Sequence, residues 1–236
     1  MTIKVRHRLG GLMLDVDLRL NESWTVLFGP SGSGKTTILR ALAGFMRPDE
    51  GRITVGEDVY FNSASRFFVA PHLRRVRSAG QGGRLFPHMT VIENVVYGAS
   101  DGWEIAEQVM ESFRIGHLGR RRPRDLSGGE QQRACVARAL VAAMRAPGSG
   151  DRPLLLLDEP LSGLNLEVRD EMVSALRRWT SEWKIPVISV THSLGEAFQL
   201  DAEIVRIADG RVMQQGPAAT VLAEERRHLL RLLGES

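Results

Sequence analysis

Trp24-Thr25-Val26-Leu27-Phe28-Gly29-Pro30-Ser31-Gly32-Ser33-Gly34-Lys35-Thr36-Thr37 is the stretch on which the fold turns. Trp24 to Phe28 is a short apolar run of the kind a buried strand carries, and Thr36 to Phe45 reads as a helix. Between them Gly29 to Thr36 satisfies G-x-x-x-x-G-K-[ST] in full, after a strand and before a helix, where the physics requires it. Its glycines let the backbone wrap closely around phosphate oxygens, because a Cβ would block the approach. The loop amides and the helix N-terminus then present partial positive charge to a phosphate. Lys35 adds a point charge for the β- and γ-phosphates, and the Thr36 hydroxyl is a ligand for Mg²⁺. Pro30, Ser31 and Ser33 complete the loop, and Thr37 joins them among the nucleotide-binding residues. A glycine-rich turn with a chance lysine is the alternative, and the strand-loop-helix setting argues against it.

Strands and helices alternate on either side of this unit. Leu12, Leu14, Val16 and Leu18 alternate with polar neighbours as in a half-buried strand, and Arg52–Val55 with Asp58–Phe61 suggests a hairpin across Gly56 and Glu57. From Asn62 to Gly83 the pattern weakens, and Pro71 with Gly80-Gln81-Gly82-Gly83 marks loops. Helical patterns recur at Val91–Tyr97, Glu104–Phe113 and Gly128–Met144. A strand follows to Asp158, then a helix at Glu167–Trp183, a strand at Val187–Val190, a short helix at Leu194–Leu200, two strands and a terminal helix from Pro217. The expected class is α/β: a P-loop NTPase core with a mostly parallel sheet, an antiparallel β region and a helical subdomain inserted at about 89–145.

The 236 residues are 43% hydrophobic and 25% charged, which fits a packed globular chain and excludes wholesale disorder. No apolar run approaches the ~18 residues of a membrane span, and the N-terminus (Ile3, Lys4, Val5, Arg6) lacks the apolar block of a secretory signal. A cytosolic chain is expected, with membrane contact only through a partner. The single cysteine, Cys135, excludes an internal disulfide and reads as a small buried side chain. The formal charge of +3 is mild. Arg120, Arg121, Arg122 and Arg124 have no interleaved aromatics and read as a solvated approach to a helix, so no nucleic-acid partner is expected.

Leu154-Leu155-Leu156-Leu157-Asp158-Glu159-Pro160 is a buried-strand run ending in two carboxylates. Ligands of open α/β sheets sit at the carboxyl ends of strands. Asp158 is placed to hold Mg²⁺, directly or through water, and Glu159 to accept a proton from an attacking water or to orient it. Alone, the pair would read as two charges opening a surface loop.

Leu126-Ser127-Gly128-Gly129-Glu130-Gln131-Gln132-Arg133 carries a capping box, Ser127 with Glu130, and so starts a helix. The box does not explain Gly128 and Gly129, each of which costs up to about 1 kcal/mol relative to alanine. A phosphate approaching the bare backbone of a serine-capped helix would explain them. Since the P-loop already holds one nucleotide's phosphates, this second anion site raises the possibility of two copies sandwiching two nucleotides in a C2 dimer, which spacing alone leaves open.

At this point the sequence resembles the ABC transporter ATPases, and the Leu126–Arg133 string is what identifies it. P-loop, signature, acidic strand and switch histidine occur in that family's order over nearly the whole chain. The resemblance implies the ABC ATPase fold, with ATP and Mg²⁺ as cofactors. It matches Gly29 to Thr36 to the Walker A motif, Asp158 to the Walker B aspartate and Glu159 to the catalytic glutamate. Ser127, Gly128 and Gly129 match the signature that contacts the partner subunit's γ-phosphate. Gln81 matches the Q-loop residue that touches Mg²⁺ and senses the permease, and His192 matches the switch histidine near the γ-phosphate. Taken alone, Gln81 would be a polar loop residue and His192 a strand-end hydrogen bonder.

Three positions depart from the family pattern. Many relatives stack adenine on an aromatic near the position of Leu9. The loop Leu161-Ser162-Gly163-Leu164-Asn165 ends in asparagine where relatives usually have aspartate. Gly80 stands where an aromatic often precedes the Q-loop glutamine. What the resemblance further implies is a homodimer with two shared ATP sites, peripheral on the inner face of the cell membrane. It would power separate integral membrane permease subunits and be served indirectly by a substrate-binding protein. Importers fit better than exporters, which generally fuse this domain to membrane spans. Arg84-Leu85-Phe86-Pro87-His88 and the missing aromatic look like the molybdate-transporter group, with molybdate or tungstate as cargo; sulfate, polyamine, sugar or iron are the alternatives. Residues 1–236 are expected to form one ATPase domain without the C-terminal oxyanion-binding domain that group often carries. A non-transport ABC ATPase lacks support, since no long coiled-coil insertion and no second cassette occur, and Glu159 with His192 argues against a regulator without turnover.

Overall fold

Runs of β-branched and apolar residues set the strands of this protein, and paired glycines and capping residues set where they stop. The computed structural model describes residues 1–80, 84–99, 101–146, 152–232 and 234. In chain order, β1 (Thr2–Leu9), β2 (Leu12–Arg19) and β3 (Trp24–Phe28) lead to α1 (Lys35–Ala43), then β4 (Glu50–Val55), β5 (Asp58–Asn62) and β6 (Phe67–Phe68). Next come β7 (Val76–Ala79), α2 (Val91–Val96), α3 (Trp103–Ser112), α4 (Gly128–Met144), β8 (Leu154–Asp158) and α5 (Leu166–Glu182). The chain ends with β9 (Val187–Thr191), α6 (Leu194–Gln199), β10 (Glu203–Ala208), β11 (Arg211–Pro217), α7 (Ala218–Val221) and α8 (Ala223–Leu232). These elements form two units, Met1–Arg74 with Ile188–Ser236, and Arg75–Val187.

In the first unit the strands run in the order β6-β5-β4-β1-β2-β11-β10-β3-β9. The β6 to β2 portion is antiparallel throughout, whereas β3 runs parallel to β10 with Thr25 opposite Glu203 and Phe28 opposite Arg206. An α/β fold with a parallel core and an antiparallel region is thus present as expected. All five residues of β3 are buried, as a strand covered on both faces requires. Trp24 is anchored at its polar edge, its Nε1–H donating to Ser189 Oγ of β9 at 2.9 Å. The hairpin of β4 and β5 closes across Gly56 and Glu57, with Val55 opposite Asp58.

Arg74 is the feature of this unit that no local pattern announces. It is 2% exposed. Its Nη1 donates to the carbonyls of Ala41 (2.6 Å) and Leu42 (2.7 Å), its Nε to Val69 O (2.9 Å) and its Nη2 to Tyr60 O (3.3 Å). The guanidinium also lies over the rings of Phe68 and Tyr60, at 4.9 and 5.2 Å from their centroids. Burial pulls its pKa below the usual guanidinium value, yet an arginine keeps its charge. A cation at the carboxyl end of α1 satisfies carbonyls that the helix cannot and complements its dipole. Arg74→Met keeps much of the side chain's length but leaves those acceptors without their donors. We expect a loss of about 3 kcal/mol, a fall in Tm of roughly 10 °C, readable by thermal denaturation.

In the second unit β7 lies parallel to β8, with Val76 opposite Leu154 and Ala79 opposite Leu157. Strands β6 and β7 lie between Asn62 and Gly83, where the sequence pattern weakens and no strand is read from it. Both are short, and β7 carries Arg77 and Ser78 in its four residues, so neither shows an apolar period. Helices α2 and α4 each start at a capping box, Thr90 with Glu93 and Ser127 with Glu130. Among the described residues no helix is long and apolar enough to cross a membrane.

Candidate functional site

The phosphate cradle belongs to the first unit. Gly34 caps α1 in the left-handed conformation, with no side-chain hydrogen bond to the first turn of the helix. Lys35, 5% exposed, turns its ammonium onto its own loop, donating to Gly29 O and Pro30 O at 2.7 Å each and toward Ser33 Oγ at 3.4 Å. A buried ammonium held by loop carbonyls at an uncapped helix N-terminus is a cationic pocket shaped by main chain. The glycines divide by cause. A Cβ on Gly29 would fall 2.0 Å from Ile207 O of β10, and one on Gly34 2.8 Å from Leu14 Cδ1 of β2. Those two positions are bare because the chain's own packing demands it. A Cβ on Gly32, at φ +81°, would meet nothing within 4 Å, which leaves open space beside the loop.

His192 follows β9, the strand next to β3 in the sheet, and so belongs to the same unit as the cradle. The residues on either side of it are fixed. Thr191 Oγ1 donates to the buried Glu196 carboxylate at 2.6 Å and accepts from Ser193 N at 3.0 Å, and Ser193 Oγ caps α6.

The second unit brings the signature residues to the acidic strand end. Asp158, 6% exposed, closes β8, and Glu159 follows it. Gln132 of α4 donates through Nε2 to Glu159 O at 3.3 Å. Gly129 lies against the loop after Pro160, since a Cβ there would be 3.3 Å from Leu164 Cδ2. Gly128 has open space, for a Cβ on it would meet nothing within 4 Å. Ser127 accepts from Glu130 N at 3.4 Å while its own amide donates to Glu130 Oε2 at 2.7 Å. The Ser127 hydroxyl, donating to Glu130 Oε2 at 2.7 Å, and then the Ser127 amide hold the Glu130 carboxyl below its usual pKa. Asn165 caps α5, its Oδ1 accepting from Val168 N at 3.0 Å. Gln81 lies outside the described residues.

Sequence reasoning missed the Gln132–Glu159 link, the Thr191–Glu196 pair and the Arg74 cap. The glutamine and threonine stood inside quoted motifs, but nothing in those motifs tells that Gln132 meets the Glu159 carbonyl 27 positions on or that Thr191 meets the Glu196 carboxylate.

Comparisons with known proteins bear on these arrangements together. The ABC transporter family model matches residues 13–162. The Molybdenum import ATP-binding protein ModC of Mesorhizobium japonicum is 39% identical over 225 residues, covering 93% of this chain and 59% of that protein. ModC of Pseudomonas fluorescens is 40% identical over 232 residues, covering 94% of this chain and 62% of its own length. The chain therefore spans about six-tenths of the length of these curated relatives. Among solved structures, a dimeric ATP-binding cassette in a post-hydrolysis state with ADP and Pi bound is similar at a TM-score of 0.72 and 25% identity, covering 92% of this chain and 97% of that one. A bacterial Atm1-family ABC exporter with ATP bound shares the fold at a TM-score of 0.78 and 24% identity, covering 95% of this chain and 40% of that one.

Proposed function

The chain belongs to the ABC transporter family, and from that membership we propose that it is the ATP-binding and ATP-hydrolysing subunit of an importer. The observation that carries this reading is the cradle of β3, loop and α1, with Lys35 drawn onto Gly29 O and Pro30 O. A nucleotide's phosphates are the ligand chemistry that such a pocket fits, because they offer oxygen acceptors to a lysine and to the amides of an uncapped helix. Gly29 to Thr36, with Thr37, hold the β- and γ-phosphates. Lys35 exchanges loop carbonyls for phosphate oxygens on binding.

Thr36 in the first unit offers a hydroxyl and Asp158 in the second a carboxylate, and each is a hard oxygen donor of the kind Mg²⁺ prefers. When bound, Mg²⁺ neutralises charge building on the transferred phosphoryl group. Glu159 orients the attacking water and takes its proton, and His192 stabilises the γ-phosphate end of the reaction. Gln81 is proposed to sense the permease and contact the ion.

Support for a dimer comes from Gly128. Its missing side chain is not demanded by any neighbour among the described residues, which favours an outside group approaching the start of α4. We propose that this group is the γ-phosphate on a second copy, reached by Ser127, Gly128 and Gly129. Two shared ATP sites would then close the homodimer against integral membrane permease subunits at the inner face of the membrane, with a substrate-binding protein delivering cargo. The helices between about 89 and 145 are proposed as the subdomain that meets the permease. Molybdate or a similar oxyanion is the proposed cargo, since the relatives bear that name. Tagged chain recovered from detergent-solubilised membranes should carry an integral membrane protein with it. Recovery with ribosomes or DNA instead would overturn the transport reading.

Asn165 departs from the usual aspartate but still performs the cap, and a carboxylate there would accept the same Val168 amide. Asn165→Asp should change the phosphate-release rate by less than about tenfold, within the ~1 kcal/mol that a charge at a helix terminus is worth. A hundredfold gain in that assay would show that the natural loop is crippled.

A further inference from the structure

Glu159 holds a main-chain conformation that non-glycine residues rarely adopt, with φ at +49°. Its carbonyl oxygen accepts two hydrogen bonds, from Ser162 N at 3.2 Å and from Gln132 Nε2 at 3.3 Å. The first is local, closing the turn that follows. The second comes from α4, 27 positions earlier in the chain, and its donor is 8% exposed. The same end of α4 is tied down on its other side, where Gln131 Nε2 donates to Pro123 O at 3.1 Å and Leu126 O at 3.2 Å. Gly129 adds a packing contact, for a Cβ there would lie 3.3 Å from Leu164 Cδ2. A helix moves as a stiff unit over its first turns, because each residue is hydrogen-bonded to the one four before it. Displacement of the Ser127–Gly129 turn is therefore delivered to the peptide that aims the Glu159 side chain.

We propose that Gln132 is a positioning residue that couples the Ser127–Gly129 turn to Glu159 of the same chain. Phosphate engaged at the start of α4 sets the main chain from which the hydrolytic carboxylate projects. The proposal rests on the roles given above to Glu159 and to Ser127–Gly129. In a dimer it has a consequence that neither role implies: each chain's Glu159 responds to the nucleotide held by the other copy. A carboxylate that is aimed only when the opposite site is filled makes hydrolysis at the two sites interdependent.

Gln132→Met removes the N–H donor and nearly preserves length and volume. The expected result is a fall in kcat of about tenfold with KM for Mg-ATP within about twofold of native, the split that marks a loss of alignment rather than of binding. The amide of Ser162 shares the Glu159 carbonyl and reports the turn directly by hydrogen exchange, with no need for turnover. In Glu159→Gln protein, Mg-ATP should slow exchange at Ser162, and adding Gln132→Met should abolish the slowing. A Gln132→Met protein with native kcat, or an ATP effect on Ser162 that survives in the double variant, overturns the proposal. The two readings fail differently. If Glu159→Gln hydrolyses ATP at the native rate, the role of Glu159 falls and this coupling with it; if Glu159→Gln is inactive and Gln132→Met is native in both measurements, only the coupling falls. Should the native chain show no turnover by itself, the Ser162 exchange decides.

Discussion

Lys35→Met should abolish tight ATP binding. The side chain is buried at the mouth of α1, where its ammonium donates to Gly29 O and Pro30 O at 2.7 Å. Those carbonyls belong to the loop proposed above to hold the phosphates, so on that reading the binding step exchanges one set of oxygen acceptors for another. Methionine keeps the buried stem and fills the slot, while the charge disappears. Each charge-assisted hydrogen bond is worth about 1.5–3 kcal/mol, so losing those to two phosphates should raise Kd roughly 10²- to 10⁴-fold. Isothermal titration with ATP measures this, and a melting curve of the free variant separates lost binding from lost fold. A Kd within threefold of native would remove Lys35 from the nucleotide site.

Glu159→Gln should stop hydrolysis and spare binding. The residue follows the buried strand Leu154–Asp158, and its position is set by main chain, through Ser162 N at 3.2 Å and Gln132 Nε2 at 3.3 Å on its carbonyl. Glutamine can occupy the same place with the same shape, so the change isolates basicity. Loss of a general base costs about 10²- to 10⁴-fold in rate, whereas nothing in the cradle of the first unit is altered. Phosphate release should therefore fall by at least about a hundredfold with ATP affinity within about threefold of native. A variant that keeps a tenth of the native rate would mean that another group takes the proton.

Legibility followed the range of the interactions involved. The cradle, the acidic strand end and the helix starting at Gly128 could be read because each concentrates its chemistry in one short run whose spacing the backbone dictates. Ser127 and Glu130 satisfy each other across three residues, so the first residue of α4 was placed correctly from that pair. The reason for Gly29 and Gly34 was only half visible. Their bareness answers to Ile207 O and Leu14 Cδ1, on strands that come together only in the folded unit. Arg74 was opaque for the same cause, since the carbonyls it caps lie 33 and 32 positions earlier, at Ala41 and Leu42. Strand β7 was lost because Arg77 and Ser78 interrupt any apolar period, and its place is set by pairing with β8. The open positions Gly32 and Gly128 are the reverse case. Among the described residues no neighbour crowds either one; the φ of +81° at Gly32 itself favours glycine, so only the bareness of Gly128 is left for an external phosphate to explain.

The central claim is that ATP joins two copies of this chain and that Glu159 then releases them by hydrolysis. Sedimentation velocity of Glu159→Gln protein with and without Mg-ATP tests it most directly, beside phosphate release by the native chain. The account predicts a monomer that becomes a dimer only when Mg-ATP is added, with turnover in the native protein and none in the variant. A variant that stays monomeric at saturating Mg-ATP would contradict the shared site at Ser127, Gly128 and Gly129.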